Sequence, residues 1–364
     1  MVKAAVMQAP MTEIAVKEFP YPDMEEGSLT FRTIYSEVCG TDVHLFHGRL
    51  AGVPYPIIPG HINVGTIEKI QGIVRDVEGN ELKTGELAAF FDVHETCNQC
   101  WYCLVAKATT RCPKRKVYGI TYSANEGLLG GWSEVIYLKP GVKVVRLGEK
   151  LSPESYIAGG CGLITAFHAV ERGGVSLGDT VVVQGTGPVG LSAVAWTRIA
   201  GAHRVIAVGA PKIRLDMASK MGADEVVDID AYNSAERVER VKELTNGRGA
   251  DVTLECSGNP NAVPEGMRMT RDAGTYLIAG QYTNTGSIEI NPHLDINKKH
   301  LQILGCWGFD YSHMYKSVRM LERFQTEFPW HKMISKKFLL NEANTALKAV
   351  ENLELIKAVI QPNK

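Results

Sequence analysis

The chain of 364 residues is longer than an ordinary single domain, and its 45% hydrophobic and 22% charged residues are typical of globular proteins. Two folded domains are therefore expected, and extended disorder is excluded. The formal net charge of −1 provides no overall attraction to nucleic acid or to an acidic membrane surface. These properties favour a small-molecule partner and argue against nucleic acid or membrane as partners.

The N-terminal segment has no apolar signal core, and no run of ~18 apolar residues occurs anywhere in the chain. We therefore expect a cytoplasmic protein. The chain has eight cysteines, half of them between positions 97 and 112. Without an export signal, this clustering favours metal binding over disulfides.

As far as Leu147, short β-rich runs such as 28–35 and 131–138 alternate with Gly, Pro and Asp turns. This pattern predicts an all-β, barrel-like or sandwich-like domain. At Ser152 the pattern changes to a capped helix, and a second helix is predicted over 164–173.

From Asp179 onward, strands and helices alternate, which predicts a doubly wound parallel sheet. The tail from Tyr311 is predicted to return to the first domain, giving a β-rich domain over 1–162 with 306–364 and a dinucleotide-binding domain over 163–305. The predicted strands are 180–184, 204–208, 225–228, 251–255, 275–279, 336–340 and 357–360, with helices at 190–200 and 212–221.

A glycine-rich loop, Gly185-Thr-Gly-Pro-Val-Gly190, directly follows a predicted strand and opens a helix. Glycines there let the backbone approach a pyrophosphate, and the helix N-terminal amides meet its charge. The loop predicts NAD(P) binding. The residues predicted to contact the cofactor on this basis are Gly185, Gly187, Pro188, Val189, Gly190, Gly209, Lys212, Arg214, Ser257 and Gly280.

No carboxylate stands at 208–211, where an NAD-binding loop would place one to accept a hydrogen bond from the ribose 2′-hydroxyl. Lys212 or Arg214 could pair with a 2′-phosphate, which favours NADP over NAD. The alternative is that both side chains simply belong to a solvated helix face.

Four cysteines, Cys97, Cys100, Cys103 and Cys112, are closely spaced. Four thiolates close a tetrahedral Zn²⁺ shell, which predicts a structural site. A nucleic-acid zinc module is the main alternative, but the near-neutral chain argues against it, and we expect the basic residues of 111–116 to form a solvated loop.

Cys39, His61 and Cys161 are dispersed, and each alone is more often a core residue than a ligand. In their sequence context, however, the chain resembles the zinc-containing medium-chain alcohol dehydrogenase family. The resemblance spans nearly the whole chain and rests on Cys39-Gly-Thr-Asp42 with His44, Gly60-His61 with Gly65, the four-cysteine lobe, Cys161-Gly-Leu-Ile-Thr-Ala166, the glycine-rich loop and Lys357-Ala-Val-Ile360.

The resemblance implies a two-domain α/β protein, with an all-β GroES-like catalytic domain and a Rossmann domain. It also implies that Cys39, His61 and Cys161 hold a catalytic zinc ion with an open fourth position. Such an ion is a Lewis acid that lowers the pKa of an alcohol, so that hydride can pass to the nicotinamide. The chain would thus interconvert an alcohol with its aldehyde or ketone.

The resemblance further assigns roles to residues around that zinc ion and the cofactor. Thr41 would bind the substrate oxygen and pass its proton outward, with His44 as a possible end of the relay. Asp42 would fix the tautomer of His61. Thr165 would lie against the nicotinamide, and Lys357 would face the pyrophosphate.

Two departures from the family pattern are visible. Ile62 stands where the family usually has Glu after the histidine, which argues against the ligand set of polyol-type relatives and against a carboxylate that transiently displaces water on zinc. Eight residues separate Cys103 from Cys112, where seven are usual. A loop absorbs one extra residue easily, since closure cost grows slowly with length.

Two other functions stay open: a zinc-free reductase of activated double bonds on the same fold, and a cofactor-binding protein without turnover. An aromatic-rich pocket lining would favour a secondary or bulky alcohol, although these residues could equally be core. Family resemblance also suggests a homodimer or homotetramer formed through the Rossmann strands near 301–304. The candidate lining residues are Phe46, His47, Phe91, His94, Tyr118 and Trp307.

Overall fold

The computed structural model describes residues 1–363. Its contacts divide the chain into two compact units. The first contains residues 1–160, 310–325 and the chain from Trp330 onward; the second contains 161–309 and 326–329.

The first unit is built on β3, a ten-residue strand whose β-branched and aromatic side chains suit a buried pleated surface. The unit begins with β1 (Val2–Val6), β2 (Ala15–Phe19), β3 (Leu29–Val38), α1 (Gly40–Phe46), β4 (Asn63–Ile70), β5 (Leu87–Phe90), α2 (Trp101–Leu104), 3₁₀ turns at Thr109–Arg111 and Ala124–Glu126, β6 (Val135–Leu138) and β7 (Val144–Arg146). The next helix, α3 (Pro153–Gly173), crosses into the second unit. It consists of two helical segments that meet at Gly160, where φ is 53° and ψ is −135°.

In the second unit strands and helices alternate, as the sequence predicts. They are β8 (Thr180–Gln184), α4 (Pro188–Ile199), β9 (Arg204–Gly209), α5 (Lys212–Lys220), β10 (Glu225–Asp228), α6 (Ser234–Leu244), β11 (Ala250–Glu255), α7 (Ala262–Met269), β12 (Thr270–Ile278), a π-helix at Pro292–Asn297 and β13 (Gln302–Gly305). All six strands are parallel, in the order β10-β9-β8-β11-β12-β13. The strand order reverses between β8 and β11, which is where doubly wound sheets bind dinucleotides.

The last part of the chain returns to the sheet of the first unit. It forms α8 (Tyr311–Phe324), a 3₁₀ turn at Trp330–Met333, β14 (Ile334–Phe338), a second 3₁₀ turn at Leu340–Glu342, α9 (Ala343–Glu351) and β15 (Lys357–Ile360). The main sheet order is β14-β15-β3-β4-β5-β7, with β6 also paired to β3, and β1 and β2 form a separate pair. Among residues 1–363, no helix combines the length and the apolar character needed to cross a bilayer.

The two-domain α/β fold predicted from the sequence is therefore confirmed, including the β-rich domain and the parallel sheet. The core of the β-rich domain contains Phe31, Phe90 and Tyr118. The ring of Phe90 packs edge-on against Phe31 and against Tyr118. In the second unit Val181, Val182 and Val183 are all buried, because helices cover both faces of a parallel sheet.

Gly60, immediately before His61, has a φ of +87°, and a Cβ there would lie 2.5 Å from Trp132 Cδ1 and collide with Ser36 Oγ. Gly60→Ala should therefore lower the free energy of unfolding by about 3 kcal/mol, from overpacking and a left-handed backbone. Gly79→Ala is the matched control: its φ is +86°, but nothing lies within 4 Å of the added Cβ. Denaturant unfolding of both variants gives the comparison, and equal losses would contradict the packing explanation.

Candidate metal centre and nucleotide-binding loop

The first candidate ligand lies where β3 runs directly into α1. Cys39 is the N-cap residue, with an extended backbone at φ −138°. Its amide donates to Asp42 Oδ2 at 2.9 Å, and both residues are buried. This bond fixes the first turn of α1 and thereby the position of the Cys39 thiol.

His61 is buried in the segment before β4, and its Nε2 lies 3.3 Å from Glu37 Oε1. Ligand atoms of Cys39, His61, Glu37 and Cys161 all lie within 4.8 Å of one another. Two thiols, an imidazole and a carboxylate form a donor set that suits Zn²⁺. The structure thus brings together the three predicted ligands and adds Glu37.

Sequence reasoning missed Glu37. The signal that could have found it is an acidic residue near the end of an apolar strand, two positions before Cys39. A carboxylate buried in such a strand needs a cation nearby. The signal is weak without coordinates, since an acidic residue near a strand end more often reaches solvent.

Two further carboxyl groups, Asp42 and Asp92, are buried near His61. Burial raises the pKa of both, and the interaction with His61 opposes the rise. Asp42 is thus close enough to His61 to interact electrostatically, while its Oδ2 holds the Cys39 amide. Its predicted control of the His61 tautomer stays a prediction.

Thr41 and His44 are both half-buried on the short helix α1. Burial, together with the charges of Arg49 and His47, lowers the pKa of His44. The neutral imidazole that results at pH 7 can accept a proton, as the predicted relay requires.

The four-cysteine lobe also closes on itself. Ligand atoms of Cys97, Cys100, Cys103 and Cys112 lie within 4.8 Å of one another, with Sγ–Sγ distances of 3.5 Å for Cys100–Cys103 and Cys97–Cys112. Zn–S bonds of about 2.3 Å in a tetrahedron imply sulfur–sulfur distances of about 3.8 Å. The loop between Cys103 and Cys112, with its one extra residue, therefore still brings the four sulfurs together. Within this loop, Lys107 adopts a left-handed backbone conformation.

The pKa values in this lobe show why it needs a cation. The amide of Gln99 lowers the pKa of Cys97 to about 6. Burial and the neighbouring thiols raise the pKa of Cys103 to about 12. Four adjacent thiolates are thus not stable by themselves, whereas a bound Zn²⁺ would stabilise all of them.

The glycine-rich loop lies at the carboxyl end of β8. Gly185 has a φ of +94°, and a Cβ there would lie 2.8 Å from the backbone of Ser257. A Cβ on Gly190 would collide with the carbonyl oxygen of Gly185, and α4 begins with Gly187 as N-cap and Pro188 as its first residue. Gly185 and Gly190 are required because other backbone segments lie too close to admit a Cβ atom. Val189 lies in the first turn of α4.

A second residue missed by sequence reasoning organises the neighbouring loops. Glu255, at the end of β11, is fully buried. Its carboxylate accepts from the amide and hydroxyl of Ser257 at 2.7 Å each, from the amide of Gly258 at 2.8 Å and from that of Gly280 at 3.1 Å. Glu255 therefore joins the predicted cofactor contacts Ser257 and Gly280, at the ends of adjacent strands.

The candidate ligand Cys161 and the glycine-rich loop are neighbours within the second unit. Gly162 follows Cys161, and a Cβ on Gly162 would lie 2.8 Å from the backbone of Pro188 and Val189. Thr165 is half-buried one turn further along α3. The close approach places the chain next to Cys161 against the start of α4.

Two of the predicted cofactor contacts are buried, and their roles toward the cofactor stay predictions. Lys357 is 1% exposed and its Nζ lies 2.5 Å from Glu37 Oε2, because a buried ammonium needs an anionic partner. Arg214 is also buried, which lowers its pKa, so it does not belong to an exposed helix face. Lys212 is exposed and pairs with Asp216 at 2.9 Å.

Gly209 is the last residue of β9 and lies close to Thr186. A Cβ on Gly209 would collide with Thr186 Oγ1. Asp228, at the end of β10, is paired in register with Gly209. The hydrogen bond to Asp216 and, to a smaller extent, the charge of Asp228 raise the pKa of Lys212. The carboxylate missing from β9 is thus present on the adjacent strand.

The candidate pocket residues fall into two groups. Tyr118 is a core residue and not a lining residue: it is fully buried, and its hydroxyl accepts from the Lys139 amide at 2.9 Å. Phe91 is also buried, edge-on to Tyr311. The partly exposed candidates are Phe46, His47, His94 and, in the second unit, Trp307, which stacks on Tyr282.

The arrangement matches known proteins in both units. The family model for an alcohol dehydrogenase GroES-like domain matches residues 25–149, and that for a zinc-binding dehydrogenase matches 188–323.

The chain is 34% identical over 360 residues to 5-exo-hydroxycamphor dehydrogenase of Pseudomonas putida, covering 98% of each chain. It is 27% identical over 373 residues to sorbitol dehydrogenase of Bacillus subtilis, covering 100% of this chain and 98% of the relative. A solved alcohol dehydrogenase of Thermotoga maritima is 34% identical, with a TM-score of 0.95 over 100% of this chain and 99% of that one.

Cys100→Ser should remove the zinc ion of the four-cysteine lobe and leave the other metal site loaded. Because metal binding is coupled to folding of such a lobe, we expect the melting temperature to fall by at least about 5 °C. Metal analysis and thermal unfolding check both effects. Cys306→Ala, at a buried cysteine outside both clusters, is the control and should keep the full metal content. Unchanged metal content in Cys100→Ser would rule out the lobe as a zinc site.

Proposed function

Because the chain belongs to the zinc-containing medium-chain alcohol dehydrogenase family and is an NAD(P)-dependent zinc alcohol dehydrogenase, we propose that it interconverts a bulky secondary alcohol and its ketone. The observation that carries this substrate class is the 34% identity, over nearly the whole chain, to a relative named for hydroxycamphor. The half-buried aromatic ring of Phe46, on the same short helix as Thr41, supports an apolar substrate.

We assign the chemistry to a small set of residues. When bound, Zn²⁺ supplies Lewis acidity toward the substrate oxygen and NAD(P) supplies the hydride acceptor. Cys39, His61 and Cys161 would hold the metal. The Thr41 hydroxyl would bind the substrate oxygen and take its proton, and the neutral imidazole of His44 would pass that proton outward.

Three alternatives receive less support. A zinc-free double-bond reductase has no need for two thiols, an imidazole and a carboxylate clustered within 4.8 Å. A polyol substrate with the ligand set of polyol-type relatives would need a carboxylate directly after His61, but Ile62 is apolar and fully buried. A cofactor-binding protein without turnover would not require a complete ligand set.

We further propose two zinc ions per chain, one in each cluster, and NADP as the preferred cofactor. The end of β9 carries no carboxylate to repel a 2′-phosphate, and Lys212 is an exposed cation at the start of the following helix. Asp216 and Asp228 partly offset its charge, so the preference should be modest.

We propose that the chain forms a homodimer or homotetramer through β13. This strand is at the edge of the parallel sheet, and Gln302, Ile303 and Gly305 are exposed on it. An exposed edge strand offers unpaired backbone groups to a second copy. The cytoplasmic location stays a prediction.

Cys39→Ala should lose one of two zinc ions and at least about 10³-fold in kcat/KM with every alcohol, because the metal supplies the main electrostatic stabilisation. The variant is compared with Cys256→Ala, at a buried cysteine outside both clusters. The substrate panel contains cyclic secondary, aromatic primary and short linear alcohols, with cofactor reduction as the assay. Full turnover by Cys39→Ala would contradict the metal assignment, and a preference for short linear alcohols would contradict the substrate class.

Lys212→Ala should lower the ratio of kcat/KM for NADP to that for NAD by about two- to fivefold, as expected for an exposed ion pair. Lys220→Ala, an exposed lysine at the other end of α5, should leave the ratio unchanged. Steady-state kinetics with both cofactors provides the test. A strong preference for NAD in the unmodified protein would overturn the NADP proposal.

A further inference from the structure

Glu37 lies next to the position where the resemblance expects a carboxylate. It is the second-last residue of β3, and its amide donates to the carbonyl oxygen of Ile62 at 3.1 Å. Its own carbonyl oxygen accepts from Trp132 Nε1 at 2.9 Å. The acidic side chain absent at Ile62 is thus supplied by the adjacent strand, one step across the sheet.

The Glu37 carboxylate is held from one side by a buried cation. Its Oε2 lies 2.5 Å from Lys357 Nζ, and the two residues are 0% and 1% exposed. Lys357 is on β15, whose Val359 is paired in register with Glu37. The ion pair therefore orients one carboxylate oxygen toward Lys357 and the other, Oε1, toward His61.

The distance from Glu37 Oε1 to His61 Nε2, 3.3 Å, suits two ligands of one ion. Ligands at 2.0–2.1 Å from a tetrahedral Zn²⁺ are separated by about 3.3 Å. A direct hydrogen bond between a ring N–H and a carboxylate would normally be shorter, about 2.7–2.9 Å. The spacing therefore favours two acceptors directed at a common cation.

The backbone beside this pair is shaped to admit it. Gly160, directly before Cys161, has a φ of +53°; a Cβ there would collide with Glu37 Oε2 and lie 2.7 Å from Lys357 Nζ. Only a glycine allows the ion pair to approach this close to the residue that precedes a metal ligand.

We propose that Glu37 is a fourth protein ligand of the catalytic zinc ion while no substrate is bound, and that Lys357 positions its carboxylate. Charge supports this assignment: two thiolates and one carboxylate would be balanced by Zn²⁺ and the Lys357 ammonium. The inference rests on the catalytic metal site proposed above, and adds to it a ligand at a position where the resemblance expects none.

The arrangement has a consequence for catalysis. Glu37 would complete the ligand set of a bound Zn²⁺, which would supply Lewis acidity toward the substrate oxygen. Lys357 Nζ lies 2.5 Å from Glu37 Oε2, so the carboxylate would stay beside the site if a substrate oxygen took its place. Lys357 thereby acts as a positioning residue.

The test uses the full-length protein with Co²⁺ in the catalytic site, whose visible spectrum reports the ligand set, and a zinc-chelator competition. Glu37→Gln should weaken binding of the catalytic metal by at least about tenfold and change the Co²⁺ spectrum of the substrate-free protein. The lobe zinc should be unaffected. With a saturating alcohol, the spectra of variant and unmodified protein should converge.

Glu37→Asp is the second variant, since it keeps the charge opposite Lys357 but shortens the side chain, and it should give the same spectral change. Asp92→Asn is the matched control, a buried carboxyl near His61 but outside the cluster, and should leave the spectrum unchanged. An unchanged spectrum and metal affinity in both Glu37 variants, or an equal effect of Asp92→Asn, would overturn the proposal. Failure of the metal site itself would appear separately, as an unmodified protein that binds one zinc ion per chain.

Discussion

The buried carboxylate of Glu37 depends on the buried ammonium of Lys357 for its stability. Cys39, His61 and Glu37 converge in a region from which solvent is excluded, and Lys357 neutralises part of the negative charge. Thiolates and carboxylates are expensive to desolvate without such compensation. The same constraint acts in the four-cysteine lobe, where burial and the neighbouring thiols raise the pKa of Cys103.

The strand β3 links the buried Glu37–Lys357 ion pair to the rest of the sheet. It pairs with β4, β6 and β15, so it receives partners from distant parts of the chain. Glu37 and Cys39 come from its end, while Lys357 comes from the returning C-terminal segment. The candidate metal ligands and the sheet core therefore both depend on β3, and a change that disturbs β3 pairing should affect both.

Near the glycine-rich loop, a buried carboxylate is stabilised by hydrogen bonds instead of an ion pair. Glu255 accepts four hydrogen bonds from the loops after β11 and β12, so its buried charge is met by backbone amides and one hydroxyl instead of a cation. Close glycine contacts at Gly185 and Gly162 bring the loop and the chain beside Cys161 together within the second unit.

The sequence by itself determined the two-domain fold, the parallel sheet and the four-cysteine lobe. Hydrophobic periodicity and short cysteine spacings are local patterns that can be recognised without a structure. Through the family resemblance the sequence also predicted that the dispersed residues Cys39, His61 and Cys161 share a site, and the structure places their ligand atoms close together. Only the tertiary structure decided that Glu37 joins them, that Lys357 is buried beside it and that Tyr118 belongs to the core. Those outcomes depend on strand pairing between segments more than 300 residues apart, and on burial, which no local pattern records.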